Sequence, residues 1–458
     1  MSNNISMNEQ HESSFRDPAG YIYKHEGTFY RFVSDNYTND YDFAQQKGLY
    51  SEAVKQHLLL PFKEINEKHI DKPEFYKTLL PEQLAFLTYP WEWCFAEYKD
   101  AALTTLSLNQ LALNKGMILK DATPLNIQLV RGRCVWIDHL SFEIYDGKKT
   151  WIAYRQFCEM FLNPLLIASY CRVDVNRLSA AYPSGITAAQ TAALLPFKSR
   201  FNIHVQLHVF LQARVQQKRK EENKQAIFSR EKLERVLDSL KTCIQSLTYR
   251  PVQTVWSDYY EETILSKDYL EDKKRILSEY LNDMDYQTVF DAGCNDGTFS
   301  LLCKKDALVV SADGDASCIN RLYEHIKENK IEHVNPVVLD LMQPTGGMGW
   351  DNREQDRFFE RKEFDLILGL ALMHHLCIGK NLPFTKLAAF LATHGRQLLI
   401  EYIPKDDPKV VELLRNRQDI FYAYDRYHFE KAFDEYFRLE KATPIGGTRR
   451  LLYKMTRK

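Results

Sequence analysis

The run Thr288-Val-Phe-Asp-Ala-Gly-Cys-Asn-Asp-Gly-Thr-Phe-Ser300 carries an apolar stretch into Asp291 and then into Gly293, Asn295 and Gly297. Glycine lets a backbone turn sharply and approach a ligand closely at the carboxyl end of a strand. Asn295 stands where a middle glycine would serve, and Asn tolerates a left-handed φ better than most residues. Further on, Asp313 closes the apolar run Ala307-Leu-Val-Val-Ser-Ala. A carboxylate placed there can accept a hydrogen bond from each of two neighbouring ribose hydroxyls, with Asp315 as the alternative for that role. Asp340 ends a third run, Val334-Asn-Pro-Val-Val-Leu. His374 and His375 follow a fourth, and Glu401 ends a fifth, Gln397-Leu-Leu-Ile. An imidazole can take up a proton near neutral pH, and a carboxylate can orient a donor.

These residues need a common scaffold. From Thr288 onward, short apolar runs alternate with amphipathic stretches, which predicts a parallel sheet covered by helices. A helix is expected over Thr298-Phe-Ser-Leu-Leu-Cys-Lys304, directly after the glycine turn. Leu451-Leu-Tyr-Lys-Met455, after Gly446-Gly447, reads as a closing strand. In an open sheet of this kind the ligand crevice lies outside the carboxyl ends of the strands. That places Asp291, Asp313, Asp340, His374, His375 and Glu401 along one edge.

The glycine run and its ordered series of strand-ending acids closely resemble the class I S-adenosylmethionine-dependent methyltransferases, over about the last 200 residues. The resemblance implies a Rossmann-like sheet closed by a hairpin and S-adenosyl-L-methionine as cofactor. Asp291, Gly293, Asn295 and Gly297 would form the cofactor turn, Asp313 would hold the ribose, and Asp340 would meet the adenine amino group. Tyr259 and Tyr260, in Trp256-Ser-Asp-Tyr-Tyr260, occupy the place of aromatics that cover the cofactor; core packing is their other reading. Methyl transfer is an in-line displacement, so the enzyme must align the acceptor and, for a hydroxyl, remove its proton. His374 or His375 is the candidate base, or else a helix-start residue bonded to backbone. Glu401 either orients the acceptor or serves as a cap or salt-bridge partner. The fourth strand lacks the Asn-or-Asp-Pro-Pro-Tyr signature of enzymes acting on planar amino groups. The stretch from Gly369 to Pro383, with Glu401-Tyr-Ile-Pro-Lys-Asp-Asp-Pro408 and Asp425-Arg-Tyr-His-Phe-Glu430, resembles bacterial methyltransferases related to a nodulation-type protein. That implies a glycan, a lipid-linked saccharide or a small metabolite as acceptor.

In the N-terminal half, Leu119-Lys-Asp-Ala-Thr-Pro-Leu-Asn126 has the D-x-x-x-x-N spacing of a kinase catalytic loop, and Val135-Trp-Ile-Asp138 follows after a short hairpin. The layout resembles the C-lobe of aminoglycoside phosphotransferases, which implies Asp121 as base and Asn126 and Asp138 as metal ligands. Leu119 replaces the usual histidine of that loop, Lys120 the small residue, and His139-Leu140 follow Asp138. A glycine-rich phosphate loop and the Val-Ala-Ile-Lys strand are missing. Lys24 and Arg31, on a hairpin expected over residues 21–33, read as exposed strand residues. A degenerate kinase-like fold without phosphotransfer is therefore expected, with these three residues as a vestigial site.

The chain has 458 residues, 45% apolar and 26% charged, with a formal net charge of −1. It is long enough for more than one core, and it has no global field to draw nucleic acid. Nine cysteines show no C-x-x-C spacing, which argues against a zinc site and a disulfide framework. No metal is expected. The polar start and the short apolar runs predict a cytoplasmic protein without a membrane span. The fold class expected is α/β: a disordered tail over residues 1–16, a mostly helical α+β kinase-like domain over 17–250, and the methyltransferase sheet over 251–458. Residues 41–116 are expected to be mostly helical, broken at Pro61, Pro73, Pro81 and Pro90. Gln217-Lys-Arg-Lys-Glu-Glu-Asn-Lys224 reads as a solvated face or linker, or as a basic anchor for an acidic partner. Oligomeric state is open. The alternatives to a methyltransferase are a bifunctional methyltransferase and phosphotransferase, and a non-catalytic scaffold binding S-adenosylmethionine or nucleotide.

Overall fold

The computed structural model describes residues 10–147, 150–218, 229–251 and 267–458. Tyr259, Tyr260 and part of the charged stretch at 217–224 lie outside them. The chain divides into two compact units, one of residues 1–252 with 347–356, the other of 253–346 with 357–458. The return of 347–356 to the first unit leaves no trace in the sequence pattern. No helix among the described residues is long and apolar enough to cross a membrane.

In the first unit, strands β1 (Gly20–His25) and β2 (Thr28–Ser34) form an antiparallel hairpin around Glu26-Gly27. Both turn residues take positive φ, 47° and 83°. Strands β3 (Phe62–Ile65) and β4 (Phe75–Pro81) extend it into a four-stranded antiparallel sheet of order β1-β2-β4-β3. The helix expected within residues 41–116 is present at Thr38–Gln46, Leu49–Lys55 and Phe95–Asn114 and gives way to β3 and β4 between them. Pro61, Pro73 and Pro81 cut the chain into pieces too short for a stable helix, and the free edge of the hairpin supplies pairing for them. Tyr21, Tyr23, Phe32 and Ile70 form an aromatic core on this sheet. Residues 10–16 are also ordered, against the expectation of a free tail: the His11 amide donates to the Ile22 carbonyl at 2.8 Å, and Arg16 pairs with Glu354. A helix, Phe95–Asn114, leads into β5 (Met117–Leu119). Strands β6 (Ile127–Val130) and β7 (Arg133–Trp136) make the second expected hairpin, and β8 (Phe142–Ile144) pairs with β5. Beyond β8 the described residues of this unit are mainly helical, up to Arg230–Ser246.

The second unit begins its described part with the amphipathic helix Lys267–Asp283. Its sheet contains β9 (Thr288–Ala292), β10 (Leu308–Asp313), β11 (Val334–Val338), β12 (Phe364–Gly369), β13 (Gly395–Tyr402), β14 (Phe437–Pro444) and β15 (Leu451–Arg457). The order is β11-β10-β9-β12-β13-β15-β14. The first five strands run parallel, and β15 pairs antiparallel with both β13 and β14. Every residue of β9 and β11 is buried, as expected for strands covered on both faces. Chain order reverses between β9 and β12, so a switch-point crevice opens at their carboxyl ends.

Candidate functional site

The loop leaving β9 lines one side of that crevice. Gly293, Asn295 and Gly297 have φ of 75°, 51° and 78°, so all three residues sit in the left-handed region that glycine and Asn accept. A Cβ at Gly297 would lie 2.5 Å from Leu322 Cδ1, so this glycine lets the loop press onto the helix Ala316–Asn329. A Cβ at Gly293 would meet Leu372 Cδ1 at 3.0 Å, so the β9 and β12 loops pack closely together here. The helix expected at 298–304 is reduced to one 3-10 turn, Ser300–Leu302. Asp296 accepts from both the amide and the hydroxyl of Thr298 as a cap, and the Tyr286 hydroxyl accepts from the Lys304 amide, which a longer helix would bond internally.

Asp291 and Asp313 are fixed from within. Asp291 Oδ2 accepts from Ser300 Oγ at 2.6 Å, and Ser300 is bonded in turn to Ser311 Oγ at 2.8 Å. Burial pushes the Asp291 carboxyl up to about 6, although Ser300 and Lys273 pull it down. Asp313 accepts the Asn295 amide on Oδ2 at 2.9 Å and the Asp315 amide on Oδ1 at 2.8 Å. Each oxygen keeps a further lone pair for a hydroxyl. Burial raises the Asp313 carboxyl, partly offset by those two amides. Asp315 is not interchangeable with it: its carboxylate caps the helix Ala316–Asn329 through the Ser317 amide at 2.8 Å. Asp340 is exposed just beyond β11, with Oδ1 accepting the Met342 amide at 2.9 Å.

Across the crevice, the β12 loop passes through Ala371 at φ 52°, a conformation a non-glycine residue adopts only when its surroundings impose it. The restraint is Glu401, whose Oε2 accepts the Ala371 amide at 2.9 Å. Glu401 is fully buried at the end of β13. It also accepts from Lys273 Nζ at 2.6 Å, Tyr269 Oη at 2.6 Å and Arg450 at 3.1 Å. Arg450 closes the network on Asp407 with bonds of 2.8 and 2.9 Å, and Asp407 caps the helix Pro408–Leu414. Burial alone would raise the Glu401 carboxyl, but Lys273 and Arg450 hold it at about 2. With four donors on two oxygens, Glu401 has no capacity left to orient an acceptor, which corrects that expectation. It positions the β12 loop instead.

His374 is buried with neither ring nitrogen bonded, and its ring lies 3.8 Å from that of His375. Burial, then the neighbouring His375 and Arg450, lower the His374 imidazole well below its ordinary value. Burial, then Lys409, lower His375 to about 4. Both are therefore neutral from mildly acidic pH upward, and His375 gains a proton only toward pH 4. Tyr269, Lys273, Asp407 and Arg450 were missed from sequence. The available signal was a lysine on the apolar stripe Tyr269, Lys273, Ile276, Leu277, Tyr280 of an amphipathic helix.

The first unit brings its own triplet together. Asn126 Nδ2 donates to Asp121 Oδ2 at 2.9 Å. Asp138 is held by Ser141 and the Leu140 amide, and Arg31 pairs with it at 2.7 Å. Arg31 is not an exposed strand residue: it is buried, because β2 turns it inward onto this carboxylate. Burial works against the charge on Asp138, but Arg31 and Ser141 outweigh it and lower its carboxyl. Asp121 is raised, by burial and then by Asp138. Among the described residues no group of three His, Cys, Asp or Glu side chains could hold a metal ion. None of the nine cysteines forms a disulfide.

No family model matches the chain. It is 28% identical over 456 residues to the nodulation protein NoeA of Rhizobium meliloti (strain 1021), covering 97% of this chain and 95% of that protein. Among solved structures, magnesium protoporphyrin IX methyltransferase (ChlM) from Synechocystis PCC 6803, with bound SAH, is 17% identical, with a TM-score of 0.32, over 44% of this chain and 93% of its own. The bifunctional kinase-methyltransferase WbdD is 20% identical, with a TM-score of 0.28, over 42% of this chain and 38% of its own.

Proposed function

We propose that the chain is an S-adenosylmethionine-dependent methyltransferase acting on an oxygen of a glycan, a lipid-linked saccharide or a small metabolite. One observation carries the reading: a left-handed turn over Gly293, Asn295 and Gly297 faces a partnered but unsaturated Asp313 at the switch point of a doubly wound sheet. The single 3-10 turn after the loop favours this cofactor over a dinucleotide. A diphosphate needs the aligned amides and dipole of a helix N-terminus, whereas a nucleoside sulfonium carries no phosphate.

When bound, the cofactor supplies a methyl group made electrophilic by a positive sulfur. Asp313 accepts the two ribose hydroxyls, and Asp340 accepts the adenine amino group from its exposed position beyond β11. Asp291 keeps the turn in shape through Ser300. Neutral His374, with both ring nitrogens unpartnered, or His375 takes the proton from the acceptor hydroxyl. Residues 17–250 act as a kinase-like fold that holds the acceptor or supports the methyltransferase domain; Arg31 on Asp138 supports the absence of phosphotransfer, because a guanidinium there opposes a divalent ion. Calorimetric titration of the full chain with S-adenosylmethionine tests the cofactor, with Asp313→Ala as control. Untargeted mass spectrometry of cells with and without the protein tests the acceptor, as a mass difference of about 14 Da, one methyl group. Absence of binding, or tight binding of NAD instead, overturns the reading.

A further inference from the structure

From Val175 to Lys218 the sequence contains no Asp or Glu, while Arg177, Lys198, Arg200, Arg214 and Lys218 are cationic. The chain as a whole carries −1, so this is a local concentration of positive charge. The same stretch exposes large apolar side chains. Phe197 is 72% exposed, Phe201 81% and Ile203 72%, and Leu194, Leu207 and Leu211 are also exposed.

The local structure presents them together. Helical residues run without a break from Ile203–Val205 through a π-helical turn, Gln206–Phe210, to Leu211–Lys218. Ile203, Leu207 and Leu211 recur at every fourth position and so share one face. The adjacent face turns inward: His208 is buried, and both His204 and His208 bond Ser239 Oγ, at 2.8 and 2.9 Å. The helix Ala188–Leu194 packs beside this run and ends in Leu194. The preceding 3-10 turn, Phe197–Phe201, stands its two phenyl rings edge to face at 5.6 Å. Lys198 and Arg200 are exposed between them. Arg200 also lies over the Phe210 ring at 4.9 Å, its stem packed on apolar surface.

We propose that this face docks onto an anionic phospholipid surface. An exposed apolar face of this kind marks an interaction site. Apolar side chains interleaved with Lys and Arg, with no acid in the sequence from Val175 to Lys218, fit the boundary between headgroups and acyl chains, where the former immerse and the latter meet lipid phosphates. A second copy of the chain is disfavoured because the face would meet its own positive charge. A nucleic acid is disfavoured because four of the six apolar residues are aliphatic and cannot stack on bases.

Flotation of the full chain with vesicles tests the proposal directly. The chain floats with phosphatidylcholine vesicles containing phosphatidylglycerol, stays behind with phosphatidylcholine alone, and releases as salt is raised. The triple variant Phe197→Ser/Phe201→Ser/Ile203→Ser loses at least about tenfold in partitioning, as does Lys198→Glu/Arg200→Glu. All five residues are exposed, so melting temperatures fall by no more than a few degrees, Arg200 losing only its contact with Phe210. The proposal is overturned by wild-type chain that does not float, or by both variants floating as well as it does. A dimer that dissociates in the triple variant, or an oligonucleotide retained through the same residues in place of vesicles, overturns it equally.

Discussion

Replacing Glu401 by Gln keeps the side-chain shape and removes one charge from a fully buried network. Arg450 retains its two bonds to Asp407, but Lys273 loses its counter-ion at 2.6 Å and keeps the weaker contacts with Tyr269 Oη at 3.5 Å and the Phe299 ring at 4.4 Å. The new amide must also turn its NH₂ toward a donor, since Lys273, Tyr269, Arg450 and the Ala371 amide all donate to this site. Stranding one partner of a buried pair costs about 3–5 kcal/mol. The wild-type carboxyl gives a similar figure: lowering it from its ordinary 4.5 to about 2 corresponds to about 3 kcal/mol at neutral pH. For a unit of this size the melting temperature should fall by roughly 6–20 °C. The folded value lies below the unfolded one, so this stabilisation is present above pH 4.5 and is lost as pH falls toward 2. Urea unfolding at neutral pH and across that window measures both effects. Lys273→Met added to Glu401→Gln removes the stranded charge and should recover most of the loss. A Glu401→Gln variant within about 1 kcal/mol of wild type, with no gain from the second substitution, would refute the assignment of Glu401 as hub.

Asp313→Ala should weaken S-adenosylmethionine binding by about 1.5–3 kcal/mol in calorimetry. Asp315→Ala should instead lower stability by about 0.5–2 kcal/mol through its lost cap and leave affinity nearly unchanged; the reverse order would move the ribose contact. Gly297→Ala forces a Cβ to within 2.5 Å of Leu322 at φ 78°, and should destabilise by roughly 1–3 kcal/mol by urea unfolding; Leu322→Ala relieves the clash but not the backbone strain. With His375 lowered to about 4, the methylation rate should hold from neutral pH down to about 5 and fall below that, and a loss of rate centred at the ordinary imidazole value would remove both histidines as the base. Asp138→Ala strands the buried Arg31 and should lower stability by about 3–5 kcal/mol in thermal melts, whereas Mg²⁺-dependent ATP consumption abolished by this variant would establish phosphotransfer.

Much of the candidate site follows from local chemistry and so was legible along the chain. Asp291, Gly293, Asn295, Gly297 and Asp313 lie within one strand-turn-strand unit, where φ preferences and strand ends are set by neighbours in sequence. The parallel strands announced themselves as apolar runs, since burial on both faces leaves no room for alternation. What the linear pattern could not convey was partnership at long range. Glu401 read equally as an acceptor-orienting group and as a salt-bridge partner; Lys273 and Arg450, distant in sequence, decided it by occupying both of its oxygens. Arg31 read as exposed until the register of β2 turned it onto Asp138. The helix expected after Gly297 stops at one turn, where the Tyr286 hydroxyl takes the Lys304 amide. Local propensity and periodicity determine which elements form and which residues end them. The charge state and free valence of a polar side chain depend on what folding brings within about 3 Å of it, and that only the tertiary structure decides.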